Sequence, residues 1–243
     1  MPLNEAARPQ FPTTAWSAVL SAGRDSVDAR EALAGLCRAY WYPVYAYVRR
    51  RGYERPDAED LTQQFFTYLL ESHMLQAASP GRGRFRSFLL VSVRNFLANE
   101  WDRSHAAKRG AGAVPLSLDF EGGESLYVRE FSDHQTPEKL FERRWALALL
   151  ERVLVSLRKE FENAGRGRRF ELMKSFLDFE PAQNSYAQLA AGLGTSEGAA
   201  RAAVFRLRSR YRELLFEEIS ALVGGPEEVE DEVRYLLAAL DER

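Results

Sequence analysis

The sequence predicts an all-α protein of two helical bundles joined by a flexible linker, the C-terminal bundle containing a helix-turn-helix. Three observations carry that expectation. Apolar residues recur at three- and four-residue steps over most of the 243 residues, the spacing that lines one side of a helix. No sustained apolar–polar alternation, the mark of a half-buried strand, interrupts them. Between residues 110 and 137 the helical spacing lapses, broken by Gly110, Gly112, Gly122, Gly123 and two prolines, and this divides the chain.

Residues 1–28 read as an N-terminal extension. Leu33, Leu36, Cys37, Tyr40, Trp41, Val44, Tyr45 and Val48 then form the stripe of one long helix, with Pro43 expected to kink it. A second helix follows Gly52 and Pro56. Ala58, Leu61, Phe65, Tyr68 and Leu69 line its apolar side, and Asp60, Gln63, Gln64, Thr67 and Glu71 its polar side. Ser79-Pro80-Gly81-Arg82-Gly83-Arg84 is a loop. From about Phe85 to Arg103 a third helix carries Phe88, Leu89, Val93, Phe96, Leu97 and Trp101 in register. Leu90, Val91 and Ala98 on a further face mark it as the central helix of the first bundle, residues 29–109.

Residues 110–137 are the expected linker and 138–223 the second bundle. Its first stripe holds Phe141, Trp145, Leu149, Val153, Leu154, Leu157 and Phe161. A break at Gly165-Arg166-Gly167 precedes a short helix with Phe170, Met173 and Phe176. Residues 224–243 form an acidic C-terminal helix, over about 226–240, which suits either a solubilising cap or a cover for a basic face.

The most informative stretch runs from Ser185 to Arg212. A short helix turns Tyr186, Leu189 and Ala190 inward. Gly192-Leu193-Gly194 supplies a sharp turn, since Gly194 takes positive φ cheaply and Leu193 can plug the corner. Thr195 or Ser196 is placed to cap the next helix. That helix buries Ala200, Ala203, Val204, Leu207, Tyr211 and Leu214, and leaves Glu197, Arg201, Ala202, Phe205, Arg206, Arg208, Ser209 and Arg212 outside. Such a face suits a major groove: Ala202 permits close approach, arginines fork onto guanine or bind phosphate, and Phe205 can lie on a thymine methyl.

The charge is unevenly spread, although the net is only −2. Residues 82–109 hold seven bases against two acids, residues 196–212 five against one, and residues 224–243 two against seven. Screening makes local charge matter more than the total. Two basic segments and an acidic tail are compatible with two separate DNA contacts, and also with ordinary solvated helix faces.

Other classes find little support. No apolar run is long enough for a membrane span, and the N-terminus lacks the pattern of a secretory signal. The single cysteine, Cys37, fits a cytoplasmic protein and an inert core thiol. His73, His105 and His134 have no metal-ligand spacing, no phosphate-binding glycine loop with its lysine occurs, and the neighbouring acids Glu59-Asp60 and Glu217-Glu218 point apart on their helices. Neither catalysis, nor a metal, nor a cofactor is expected.

Two segments outside the helix-turn-helix add a resemblance. Asp57-Ala-Glu-Asp-Leu-Thr-Gln-Gln-Phe-Phe-Thr-Tyr-Leu-Leu resembles the polymerase-clamp helix of the extracytoplasmic-function group of the sigma-70 family. Phe85-Arg-Ser-Phe-Leu-Leu-Val-Ser-Val-Arg-Asn-Phe-Leu-Ala-Asn-Glu-Trp resembles the helix after that family's −10 recognition loop. The likeness covers about residues 29–109 and 138–219. It implies that Asp60, Gln63 and Gln64 grip the β′ coiled coil of core RNA polymerase. Asn95 would contact the non-template strand, and the loop with Arg82 and Arg84 would hold a flipped −10 base. Arg201, Phe205 and Arg206 would fall on base- or backbone-contact positions at the −35 element, while the second bundle approaches the β flap. An anti-sigma factor is a further partner the resemblance allows. Residues 158–180 are longer than that family's usual turn, and Ala202 stands where a small polar residue is common. A polymerase-independent helix-turn-helix regulator is the alternative reading, and a homologue that only sequesters an anti-sigma partner is a third.

Overall fold

The structure, a computed structural model, describes residues 27–71, 84–104, 117–130, 135–177, 185–223 and 228–241. Every regular element among them is a helix, as the apolar spacing requires. None of these helices is long and apolar enough to cross a membrane. His73, His105, His134 and Arg82 lie outside the described residues. Those described divide into two compact units, one drawn from Met1–Ala148 with Ile219–Arg243, the other being Leu149–Glu218.

The first unit holds α1 (Val27–Ala39), α2 (Trp41–Arg50), α3 (Arg55–Glu71), α4 (Phe85–Ser104), α5 (Phe120–Glu130), the start of α6 (Pro137–Asn163), the end of α9 (Glu197–Ser220) and α10 (Val229–Asp241). The single kinked helix expected over 33–48 is two helices. Pro43 has no N–H to offer the carbonyl of Ala39, so the ladder ends there, and Tyr40 leaves helical geometry at φ −122°, ψ 24°. Pro43 then falls in the first turn of α2, where a missing donor costs little.

Six consecutive residues of α2, Pro43 to Val48, are buried, so α2 is the central helix. The expectation had given that place to α4, but Val91 is 47% exposed and Ala98 is exposed too. Leu90 is half-buried, so its second apolar face is only partly covered. Around α2 the core gathers Leu33, Cys37, Phe65, Phe66, Leu69, Phe85, Leu89 and Val93. Trp145 closes it, its ring stacked on Tyr40 at 4.0 Å between centroids and lying 5.7 Å from Phe85. Burial pushes the Cys37 thiol up to about 12, which keeps it protonated and inert.

The expected linker is in part a packed helix. Within 110–137, α5 lies on α2 through Gly123, Glu124 and Tyr127. A Cβ on Gly123 would stand 2.6 Å from the Trp41 ring, so glycine permits the approach. Glu124 accepts from the Tyr45 hydroxyl and takes both Nε and Nη2 of Arg49 at 2.9 Å. Packing through a glycine and an acid hides a helix from any apolar count. The acidic C-terminal segment is likewise integral, with Val229, Glu232 and Leu236 of α10 all buried.

The second unit comprises the rest of α6, α7 (Gly167–Met173), a 3-10 turn (Lys174–Phe176), α8 (Tyr186–Leu193) and most of α9. Leu149, Val153, Leu157, Phe170, Met173, Phe176, Leu189, Ala190 and the inner side of α9 form its core. Leu154, assigned to the inward stripe, is 36% exposed. The divisions between units fall at Ala148/Leu149 inside α6 and Glu218/Ile219 inside α9, not at 138 and 223. Both helices continue through them, so no break in the sequence pattern marks the place.

Candidate nucleic-acid interface

Local sequence fixes the entry to α9. Ser185 and Gln188 exchange hydrogen bonds at the start of α8, the Gln188 N–H donating to Ser185 Oγ at 3.2 Å and the Ser185 N–H to Gln188 Oε1 at 2.8 Å. α8 packs on α7, with Leu172 3.5 Å from where a Cβ on Gly192 would stand. The helix stops at Gly194, left-handed at φ 63°, ψ 40°, and the Thr195 N–H closes back onto the Ala190 carbonyl at 3.0 Å. Two residues on, Ser196 Oγ accepts from the Ala199 N–H at 3.3 Å and starts α9.

The inner side of α9 is the expected one: Ala200, Ala203, Val204, Leu207 and Leu214 are buried and Tyr211 half-buried. On the outer side Arg201, Ala202, Phe205, Arg206, Arg208, Ser209 and Arg212 are all exposed. Phe205 stands out at 74% exposure. A phenylalanine left so open among arginines gains nothing from folding, and it offers an apolar contact to an external partner.

The arginines differ in how committed they are. Arg201 donates its Nη2 to Glu197 Oε1 at 2.6 Å and lies over the Tyr186 ring of α8, 4.3 Å from its centroid. Arg208 donates its Nε to the Phe176 carbonyl at 2.9 Å, closing the 3-10 turn. Arg206 and Arg212 make no ion pair with any described residue. Arg210 is spent, held by Glu160 at 2.7 Å and by Glu213 and Glu217 at 3.0 and 3.2 Å. Those bonds raise its already high pKa further.

In the first unit, Asp60 and Gln64 are exposed on the outer side of α3 and Gln63 is half-buried beside them. Asn95 is exposed on α4, next to Arg94 and one turn before Asn99. Arg84 is tied down, with its Nη1 3.0 Å from Glu232 of α10. Arg86, counted in the basic segment, is 5% exposed and wholly internal. It donates to Glu232 through Nε at 3.1 Å, pairs with Glu142 through Nη1, and stacks on the Tyr235 ring at 3.9 Å. Burial pushes the Glu142 carboxyl up, and Arg86 opposes that. Two arginines of residues 82–109 are therefore matched by Glu142 and Glu232, and the basic surface of that segment is smaller than its sequence count.

Sequence reasoning missed this network. The available signal was Glu232, an acid three residues after Val229 and four before Leu236, on the apolar side of α10. No protein-family model matches the chain, and neither does any curated protein or solved structure.

Proposed function

We propose that this chain is a sigma factor of the extracytoplasmic-function type, which binds core RNA polymerase and directs it to promoters. In this reading α8, the Gly194 turn and α9 form a helix-turn-helix whose second helix enters the major groove at the −35 element. Arg201, Ala202 and Phe205 face the bases and Arg206, Arg208 and Arg212 the phosphates. Asp60, Gln63 and Gln64 on α3 dock on the β′ coiled coil, and Asn95 with Arg82 handles the melted −10 strand, Arg84 being held by Glu232. Strand opening draws on binding energy alone, with no catalytic group of the chain's own.

The observation that carries the reading is Phe205, 74% exposed at the centre of an arginine-flanked helix face that a left-handed glycine orients. Its support for polymerase binding is the likeness of residues 57–70 and 85–101 to the clamp and −10 helices. The test is reconstitution with core polymerase and run-off transcription from a genomic fragment library. Co-elution with core and discrete start sites are expected. Failure to associate with core at low salt, or dimeric binding to a palindrome without it, would reject the proposal in favour of a free-standing regulator.

A further inference from the structure

The turn between α6 and α7 and the first turn of α7 carry three arginines with no part in the reading above. Arg166, Arg168 and Arg169 are exposed, and no acid stands between Glu162 and Glu171. Arg166 spreads over the Phe161 ring, 5.3 Å from its centroid. Arg168 and Arg169 have no ion pair or side-chain hydrogen bond with any described residue. The two nearest acids are already engaged: Glu162 by Arg158 at 3.0 Å, and Glu171 by Arg158 at 3.1 Å and Lys174 at 2.7 Å. The turn itself is well fixed, with Gly165 at φ 68° and the Arg166 N–H on the Phe161 carbonyl at 2.7 Å. Three like charges thus stand close in sequence, with the two flanking acids, Glu162 and Glu171, engaged by other cations.

Two ion pairs locate this turn against α9. Arg152 meets Glu218 at 2.7 Å, and Glu160 meets Arg210 at 2.7 Å, so α6 and α9 run antiparallel. Four residues past Glu160 comes Ala164, where the turn begins; four residues before Arg210 comes Arg206. Each step is about 6 Å at 1.5 Å per residue, which brings the turn level with Arg206. Arg206 lies on the same strip of α9 as Arg210, four residues away, and is exposed and without an ion pair among the described residues.

We infer that Arg166, Arg168 and Arg169, together with Arg206, form a second line of contact to the phosphates of duplex DNA, beside the surface centred on Phe205. The inference rests on the reading of α9 as the duplex-contacting helix and extends its footprint along the backbone. Duplex DNA is the occupant the charge selects, because it offers about one negative charge per 1.7 Å of axis to a fixed row of cations. These contacts carry affinity and register but no base specificity.

The test uses the full chain and a fluorescent mixed-sequence duplex, with binding measured by anisotropy across a salt series. Each lost phosphate contact should flatten the slope of log affinity against log salt by about 0.9. Arg168→Gln/Arg169→Gln should therefore flatten it by nearly two and weaken binding on every sequence alike, and Arg206→Gln by about one. Circular dichroism melts should be unchanged, since these side chains are exposed. A double variant with the wild-type slope, while Arg206→Gln still loses its unit, overturns the inference and leaves the reading of α9 standing. Wild-type protein that does not bind duplex at low salt overturns both.

Discussion

Removing the Glu232 carboxylate should destabilise the first unit more than any surface ion-pair change. Glu232 is 1% exposed and takes Arg86 Nε at 3.1 Å, Arg86 Nη2 at 3.4 Å and Arg84 at 3.0 Å. Taking one partner from a buried ion pair costs about 3–5 kcal/mol, because the other charge stays desolvated. Two features reduce that here: Arg86 keeps Glu142 and the Tyr235 ring, and Arg84, with 22% of its side chain exposed, can rehydrate. Glu232→Ala is therefore expected to cost roughly 2–4 kcal/mol. Glu232→Gln, which keeps the shape and one acceptor, should cost about half as much.

The chain's tryptophans make the measurement selective. Trp16, Trp41, Trp101 and Trp145 all fall outside Leu149–Glu218, so tryptophan emission during urea unfolding reports on the first unit alone. With a slope of about 2 kcal/mol per molar urea, the expected loss moves the midpoint down by roughly 1–2 M. Glu59→Ala is the control, since its pair with Arg55, also in the first unit, is 29% and 47% exposed and should contribute little. A Glu232→Ala midpoint within about 0.3 M of wild type, from the same slope, would refute the claim that α10 is held by this network.

Three further outcomes follow from the geometry. Gly194→Ala should destabilise the second unit by about 1–2 kcal/mol in circular dichroism melts, with Gly194→Asn milder, because φ is 63° and nothing lies within 4 Å of the added Cβ. Phe205→Ala should leave the melting curve within about 0.5 kcal/mol of wild type and weaken duplex binding roughly ten-fold, a split that a core phenylalanine could not give. The third concerns Glu124, whose burial would raise its carboxyl but whose bonds from Arg49 and Tyr45 outweigh it and hold the pKa below the ordinary 4.5. A depressed folded-state pKa contributes stability that is present above the unfolded value and is lost as pH falls through the folded one. Acid unfolding of the first unit, followed by tryptophan emission, should therefore be shallower below pH 4.5 in Glu124→Gln, which has no such carboxylate to protonate, than in wild type.

What was legible in the sequence was legible for one reason: those helices bury apolar side chains at helical spacing. In α9 the inner residues Ala200, Val204 and Leu207 and the outer Phe205 and Arg206 fell where the period put them, and the Gly194 turn followed from glycine's freedom at positive φ. The break at Tyr40 was missed because the apolar stripe runs on from Tyr40 to Trp41 and Val44 although the hydrogen-bond ladder does not. Only the missing Pro43 donor records the break. α5 was missed, and the burial of one side of α10 was not foreseen although its helix was, because they pack through Gly123, Glu124 and Glu232, residues whose composition signals solvent.

The same blindness affects the charge argument, and in a definite direction. Counting bases along the sequence treats each as available to a polyanion, yet Arg84, Arg86 and Arg210 are matched by Glu232, Glu142 and Glu160 from elsewhere in the chain. A partner far in sequence cannot be seen in a local count, so such counts overstate basic surface wherever a distant acid folds back. Arg168 and Arg169 show the converse: they lie in the first turn of α7, and the acids flanking them in sequence are taken by Arg158 and Lys174. The cations free to meet a polyanion are thus set by how the acids are distributed in space. Uncommitted charge in this chain is therefore to be sought on the outer face of α9 and at the α6–α7 turn, more than in the N-terminal half of α4.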